Sequence, residues 1–250
     1  MPSPGRFHLP CTTPRKLIQI AYGTFNGSDV AAGKMDVIGG PSWVDKEQYE
    51  VNAVAPNRPS VTAMAGPMLQ RLLEDRFALR THVEAKEQPV YALSVVASGA
   101  KLRPSHAGSC AAVDLDKFDR GAELSGNLVR YCGFGQFKRD GTKVLMELFG
   151  NTMAEFAARW LAHYVDRPVV DRTGLAGRFG FQLEFSPNPA PGGIAYLNGV
   201  PTPVVPEVSP NDAESIYSAI RRQLGLQLKA DRAPIDTVII DHIEHPSSDQ

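Results

Sequence analysis

The order of predicted secondary-structure elements repeats along the chain, and this repeat constrains the fold more than any single motif does. Hydrophobic periodicity predicts strand, helix, strand, strand, helix, strand, strand in the first half, and the same order in the second. Thr13 and Leu17 at the start of one helix correspond to Thr152 and Phe156 at the start of another. Residue identity between the halves is low, so the duplication rests on element order.

Four short amphipathic helices and several alternating strands make up the two repeats, with two helices in each. The helices are predicted at residues 13–23, 67–77, 151–164 and 212–224, and the strands at 49–53, 79–83, 90–96, 144–149, 179–185, 226–230 and 235–243. The predicted fold class is α+β, with two tandem related βαββαββ modules that each pack two helices on a small mixed sheet. This order resembles the small periplasmic domain at the N-termini of secretins and TonB-dependent signal transducers.

Two stretches rich in proline, glycine and serine punctuate the modules and are predicted to be loops. The first module covers residues 1–96, the linker 97–142 and the second module 143–245, with a proline-rich insertion at 186–212. Insertions confined to loops are inexpensive, because the entropy of closing a loop rises slowly with its length.

The charge balance excludes some functions. Lys and Arg number 26 against 27 Asp and Glu, for a net charge of −1. Without a basic cluster to contact phosphates, we expect no nucleic-acid partner. No apolar run reaches the roughly 18 residues that a membrane-spanning helix needs, and the first residues lack the pattern of a signal peptide. We therefore expect a globular chain with no transmembrane segment of its own.

The cysteines suggest one disulfide. Cys110 and Cys132 flank the linker, and a bond between them would close a loop of about 23 residues and stabilise the fold by roughly 3 kcal/mol if the protein is exported. Cys11 is expected to be a small buried apolar residue. No CxxC motif is present in the sequence, so zinc-finger, redox-motif and haem sites have no support.

The C-terminal segment Asp241-His-Ile-Glu-His245 invites comparison with a metal site. On a strand, His242 and Glu244 share one face while Asp241 and His245 share the other, which leaves at most two ligands per face. We therefore predict no metal and no cofactor, and interpret these residues as exposed polar groups. The catalytic motifs GxSxG, P-loop and HExxH are also missing from the sequence, so no catalytic residue can be named.

The most specific motif is RPVVDRTGLAGRFGFQLEF at residues 167–185. Together with the segments 38–43, 72–77, 89–93, 223–228 and 239–246, it resembles a soil-associated family of unknown function that is abundant in acidobacteria. The resemblance implies an extracytoplasmic protein, since members usually look exported, and some carry related domains next to BlaR-type membrane metallopeptidases. Members generally show an export signal and one more strand before the segment that corresponds to residues 5–7, neither of which stands in this sequence. Either the sequence is truncated at its start, or this member stays inside the cell.

Within this motif, Asp171 and Thr173 can bond local amides, and Gly174 and Gly177 allow a tight turn. A turn that joins two strands explains every residue type, and a binding loop is the alternative. Trp43 follows Gly39-Gly-Pro41 on a predicted turn and would be an interface anchor if it is exposed.

We expect a non-catalytic, exported binding or sensory module that recognises a protein or cell-envelope component. Small open sheets leave strand edges that can add a strand from a partner. The candidate binding residues are Trp43, Asp171, Thr173 and His242. One alternative is a hydrolase-like enzyme with a site between the modules, around His163, Asp171 or His242, and another is a structural envelope protein.

Overall fold

The computed structural model describes residues 5–23, 35–59, 63–112, 130–140, 143–186, 194–197, 200–203 and 214–246. The chain divides into two compact units, each of which is discontinuous in sequence. Unit 1 is residues 1–88, 114–128 and 234–250, and unit 2 is residues 89–113 and 129–233. Two long strands, β4 (Arg80–Val95) and β11 (Leu226–His242), belong to both units, with one end of each strand in unit 1 and the other end in unit 2.

Unit 1 combines an antiparallel strand pair, a parallel strand contact and two helices. Its elements are β1 (Arg6–Thr12), α1 (Pro14–Gly23), β2 (Asp36–Gly39), a 3-10 turn (Ser42–Asp45), β3 (Tyr49–Val54), and a π-helical turn (Met64–Met68) that leads into α2 (Leu69–Phe77). β1 pairs antiparallel with β3, and β2 pairs parallel with the end of β11. Leu17, Ile18, Leu73 and Val238 form the centre of the core and are fully buried.

Unit 2 has a similar set of elements. They are β5 (Phe134–Asp140), β6 (Lys143–Asn151), α3 (Met153–Glu155, continued by Phe156–Trp160 and Leu161–His163), β7 (Val169–Asp171), β8 (Phe179–Phe185), the hairpin β9 (Ile194–Leu197) and β10 (Val200–Pro203), and α4 (Ile216–Ala219, continued by Ile220–Leu224). β6 lies between β5 and β8 in an antiparallel sheet, and β7 pairs parallel with β4. The core of this unit contains Phe156, Leu183 and Phe185.

The α+β class, the small sheets and the four helices are confirmed. The tandem arrangement of modules is not confirmed and stays a prediction, as do the boundaries 1–96, 97–142 and 143–245. The predicted strands at 79–83 and 90–96 are one strand, β4, and those at 226–230 and 235–243 are one strand, β11. β4 and β11 are neighbours in one sheet, and backbone hydrogen bonds between them keep each strand continuous. The middle of each strand is polar and exposed, so the alternation of apolar and polar residues that predicts a strand is interrupted there.

Two stretches that the sequence predicts to be loops contain strands. β5 lies inside the predicted linker, and the β9–β10 hairpin lies inside the proline-rich insertion. The segment Phe134-Gly-Gln-Phe-Lys-Arg-Asp140 has little intrinsic strand preference. It is a strand because it pairs with β6 along its whole length, from Phe134 opposite Phe149 to Asp140 opposite Lys143.

Side chains of α1 bond the backbone of β2. Arg15 donates through Nη1 to the carbonyl of Val37 and through Nη2 to that of Gly39, at 2.5 and 3.0 Å, and Gln19 Nε2 donates to the carbonyl of Met35 at 3.2 Å. Alternate carbonyls lie on the same side of a strand, so these three occupy one side of β2. Arg15 also pairs with Asp45, and this hydrogen bond holds the pKa of Asp45 below its usual range. That side of β2 is therefore closed to a further strand.

We expect Arg15→Met to lower the free energy of unfolding by about 1–3 kcal/mol, because two carbonyls and a carboxylate lose their donor. Urea denaturation would measure the change. Lys16→Met is a matched control, since Lys16 is exposed on the same helix. Equal unfolding midpoints for the two variants would contradict this role of Arg15.

Candidate functional site

The candidate functional site is the outer edge of β3 in unit 1. The amide of Ala55 donates to the carbonyl of Gly5 at 3.0 Å, and this bond sets the phase of the β1–β3 ladder. Because the hydrogen-bonding direction alternates along a strand, the backbone N–H and C=O groups of Glu50, Asn52 and Val54 face away from β1. Within the described ranges, β3 has β1 as its one strand neighbour.

The side chains of β3 divide into a buried and an exposed face. Val51 is buried, and Tyr49 packs partly against the core of unit 1. Glu50, Asn52 and Val54 are exposed, and Val54 exposes 76% of its surface, more than the other exposed large hydrophobic residues of the described chain. The edge thus offers backbone groups that no described residue bonds, beside an exposed apolar side chain.

The outer edge of β8, in the antiparallel sheet of unit 2, is bonded at both of its ends. Gln223 of α4 donates through Nε2 to the carbonyl of Glu184 at 2.6 Å and accepts through Oε1 from the amide of Glu184 at 3.1 Å. At the other end, the amide of Ser105 donates to the carbonyl of Arg178 at 2.7 Å. No described residue bonds the outward backbone groups of β3 in this way.

An aromatic cluster lies at the start of β3. The ring centroid of Trp43 is 6.5 Å from that of Phe77 and 4.2 Å from that of His245, with nearly parallel ring planes in both pairs. Tyr49 meets Phe77 edge-on at 5.2 Å. Trp43 is half-buried and stacks with both Phe77 and His245, and its predicted role as an interface anchor stays a prediction.

Carboxylates are concentrated at the same end of the edge. Glu47 accepts from the hydroxyl of Tyr49 at 2.7 Å and lies 3.2 Å from Nε2 of His245. The bond from Tyr49, and then that from His245, lowers the pKa of Glu47. Burial, aided by Glu47, raises the pKa of Tyr49 to about 12. Glu50 accepts from the side-chain amide of Asn52 at 2.7 Å.

Guanidinium groups lie at the other end. Arg6 of β1 is directly opposite Val54, and Arg58 packs its backbone against Gly5. Both arginine side chains are exposed. The edge is therefore acidic where β3 begins and basic where it ends.

Asp171 and Thr173 lie in a turn of unit 2. Oδ1 of Asp171 accepts from the amide of Thr173 at 2.8 Å, and Oγ1 of Thr173 accepts from the amide of Leu175 at 3.1 Å. Gly174 has a φ of +68°, which the turn requires. These bonds are the local ones that the sequence suggests, and a binding role for the two residues stays a prediction.

His242 and its neighbours form separate polar pairs in unit 1. Nε2 of His242 is 2.8 Å from Oε1 of Glu244, and Nδ1 of His82 is 2.9 Å from Oδ1 of Asp241. The described residues contain no group of three or more His, Cys, Asp or Glu that could hold a metal ion. His163 is half-buried in the last turn of α3, in unit 2.

Cys110 and Cys132 form a disulfide in unit 2, with their Cα atoms 5.0 Å apart. Gly150 passes close to this bond at a φ of +53°, and a Cβ there would collide with Sγ of Cys110. Cys11 is free and exposed, so the prediction that it is buried is wrong. The register of β1 shifts between Leu9 and Thr12, which places Cys11 outside the regular alternation.

Sequence reasoning missed the residues that close or leave open the strand edges. Gln223 is far from Glu184 in sequence, and Arg15 and Gln19 read as the polar face of an amphipathic helix. Glu47, two residues before Tyr49, belongs to no recognised motif. Pro10 in β1 was a usable signal, since proline within sheets is confined to edge strands, the first residue of a strand or bulges.

Together, these features define a small α+β protein whose candidate site is a strand edge. Residues 15–243 match the model of a family described as a protein of unknown function (DUF3738), and the chain belongs to that family. Neither the curated proteins nor the solved structures include a match to the chain. None of the helices in the described part of the chain is long and apolar enough to cross a membrane.

We expect the Cys110→Ala/Cys132→Ala variant to lose roughly 3 kcal/mol of stability, because the unfolded chain gains the freedom of the opened loop. Alkylation and intact mass should show one reactive thiol, Cys11, before reduction of the native protein and three after it. Cys11→Ala is the control and should leave stability unchanged. Three alkylated thiols without reductant would contradict the bond.

We expect Tyr49→Phe to raise the pKa of Glu47 toward its ordinary value, because the variant removes the main donor to that carboxylate. The stability that Glu47 contributes is present above its unfolded pKa and is lost as pH falls through its folded pKa. The free energy of unfolding of the variant should therefore change less with pH in the acid range. Carboxylate NMR titration measures the pKa, with Tyr22→Phe as a control. The same pKa in all three proteins would contradict the assignment.

Proposed function

We propose that this protein is a non-catalytic binding module that recognises an extended segment of a partner protein by adding it to the outer edge of β3. The observation that carries the proposal is the outward row of backbone groups on Glu50, Asn52 and Val54. In strand addition, such groups supply affinity, and the side chains beside them supply specificity.

The bonds at two other strand edges, those of β2 and β8, support this proposal. Exposed strand edges promote aggregation, and proteins usually cover or interrupt them. Here Arg15 and Gln19 bond one side of β2, and Gln223 bonds the outer side of β8. The outer edge of β3 has no such bond from any described residue, and a function that uses this edge explains why it is left open beside the exposed Val54.

The acidic end of the edge indicates the chemistry of the partner. The carboxylates of Glu47 and Glu50 accept hydrogen bonds from Tyr49, Asn52 and His245, and neither is paired with an arginine or a lysine in the described structure. A partner segment that places a lysine or arginine opposite Glu50 and an apolar side chain beside Val54 would match the edge. Opposite charges across neighbouring strands stabilise the pairing.

The proposal includes a duplicated architecture. β1 and β3 correspond to β6 and β8, and β2 corresponds to β7, because each unit has an antiparallel pair whose two strands flank, in sequence, a short strand in a parallel contact. In this view, the units are related βαββαββ modules that exchange the ends of their last strands, β4 and β11. One module then retains a β3 edge that no described residue bonds, while the other module bonds the ends of its β8 edge.

We also propose that the protein works outside the cytoplasm, in a sensory or regulatory role at the envelope of a soil bacterium. The disulfide between Cys110 and Cys132 supports this location, since such bonds persist mainly in oxidising compartments. The partner would then be an envelope or secreted protein.

The test is site-specific photocrosslinking in the native host, with the crosslinker at Val54. We expect one segment of a protein other than this chain to be captured, and Asn52→Pro to abolish that capture, because proline removes an outward N–H group and blocks the edge. The fold should survive, since this N–H group is not part of the β1 ladder. Asn52→Thr keeps the N–H group and is the matched control.

A synthetic peptide of the captured segment then gives an independent measurement. Calorimetry should show binding to the wild type and to Asn52→Thr, and at least tenfold weaker binding to Asn52→Pro. Absence of capture, or equal capture and binding by the proline variant, would refute strand addition at β3.

A further inference from the structure

We propose that, when no partner is bound, the β3 edge pairs antiparallel with the β3 edge of a second copy of this chain. The inference rests on the same open edge as the proposed function. It adds a defined register, a defined set of charge contacts and a competition between self-association and partner binding.

The register follows from the outward residues of β3. An antiparallel pair related by a two-fold axis at Asn52 places Asn52 opposite itself and Glu50 opposite Val54 of the second copy. All of these residues direct their N–H and C=O groups away from β1. Each can therefore enter a hydrogen-bonded pair, in which two residues exchange both of their backbone bonds.

Charge favours this orientation. The edge is acidic at Glu47 and Glu50 and basic at Arg6 and Arg58, so the two-fold axis brings the acidic end of one copy to the basic end of the other. Arg6 lies directly across from Val54 in β1, so its long side chain can extend past Val54 to Glu50 of the second copy. Parallel pairing would instead juxtapose like charges, which destabilises neighbouring strands.

The outer edge of β1 explains why pairing stops at two copies. Pro10 has no N–H group to donate, and the register of β1 shifts between Leu9 and Thr12. Bulges and prolines on edge strands hinder further pairing. A two-fold contact through β3 uses the same surface on both copies, so it closes and does not propagate.

The contact is limited to one short strand and its neighbours, well below the area that stable obligate dimers bury. We therefore expect a weak dimer that depends on protein concentration and is disfavoured by salt, which screens the Glu50–Arg6 attraction. A partner segment that binds the same edge would displace the second copy.

Sedimentation equilibrium of the full chain over a wide concentration range tests the inference. We expect Glu50→Arg and Arg6→Glu each to raise the dissociation constant at least tenfold, and the double variant to restore it. Asn52→Pro should be monomeric, and Arg80→Glu, the same charge change at an exposed site on β4, should behave as the wild type. Circular dichroism checks that each variant is folded.

Two outcomes overturn the inference: a wild type that is monomeric at every concentration, and a dimer that persists in Asn52→Pro or is not restored in the double variant. Partner capture at Val54 by a monomeric wild type would leave the proposed function standing without the dimer. A dimer with the expected charge dependence, but without any captured partner, would leave the dimer standing and refute the proposed function.

Discussion

The need to satisfy backbone hydrogen-bonding groups at strand edges shapes this protein more than any other constraint. The β1–β3 ribbon and the β5–β6–β8 sheet have only two and three strands, so edges are a large fraction of their backbone. An unpaired buried amide or carbonyl costs free energy comparable to a lost hydrogen bond. Side chains of helices α1 and α4 bond backbone groups of β2 and β8, and β5 pairs with the other edge of β6. No described residue bonds the outward backbone groups of β3.

Helices α1 and α4 therefore do more than cover the core. The buried face of α1 packs Leu17 and Ile18, while Arg15 and Gln19 bond β2. Gln223 of α4 presents an amide that both donates to and accepts from Glu184, as a neighbouring strand would. A single side chain thus substitutes for a strand. This makes the difference between β8 and β3 a matter of a few residues.

Much of the local structure could be predicted because it depends on near neighbours in sequence. The stripe Phe156, Trp160 and Tyr164 indicates a helix, and Thr152 caps that helix through a reciprocal bond with Glu155. The turn at Asp171 and Thr173 also follows from bonds between adjacent residues. Elements that depend on distant partners were missed. β5 is a strand because β6 lies beside it, and β4 and β11 are continuous because they are neighbours in one sheet.

The sequence by itself determined the α+β class, the four helices and the family, because helical periodicity, caps and family motifs are properties of neighbouring residues. Only the tertiary structure decided which strand edges are covered. That outcome depends on whether an arginine or a glutamine of a distant helix reaches a particular carbonyl. Tertiary structure likewise decided that Trp43 stacks with both Phe77 and His245, a contact of three separate segments that no local pattern encodes.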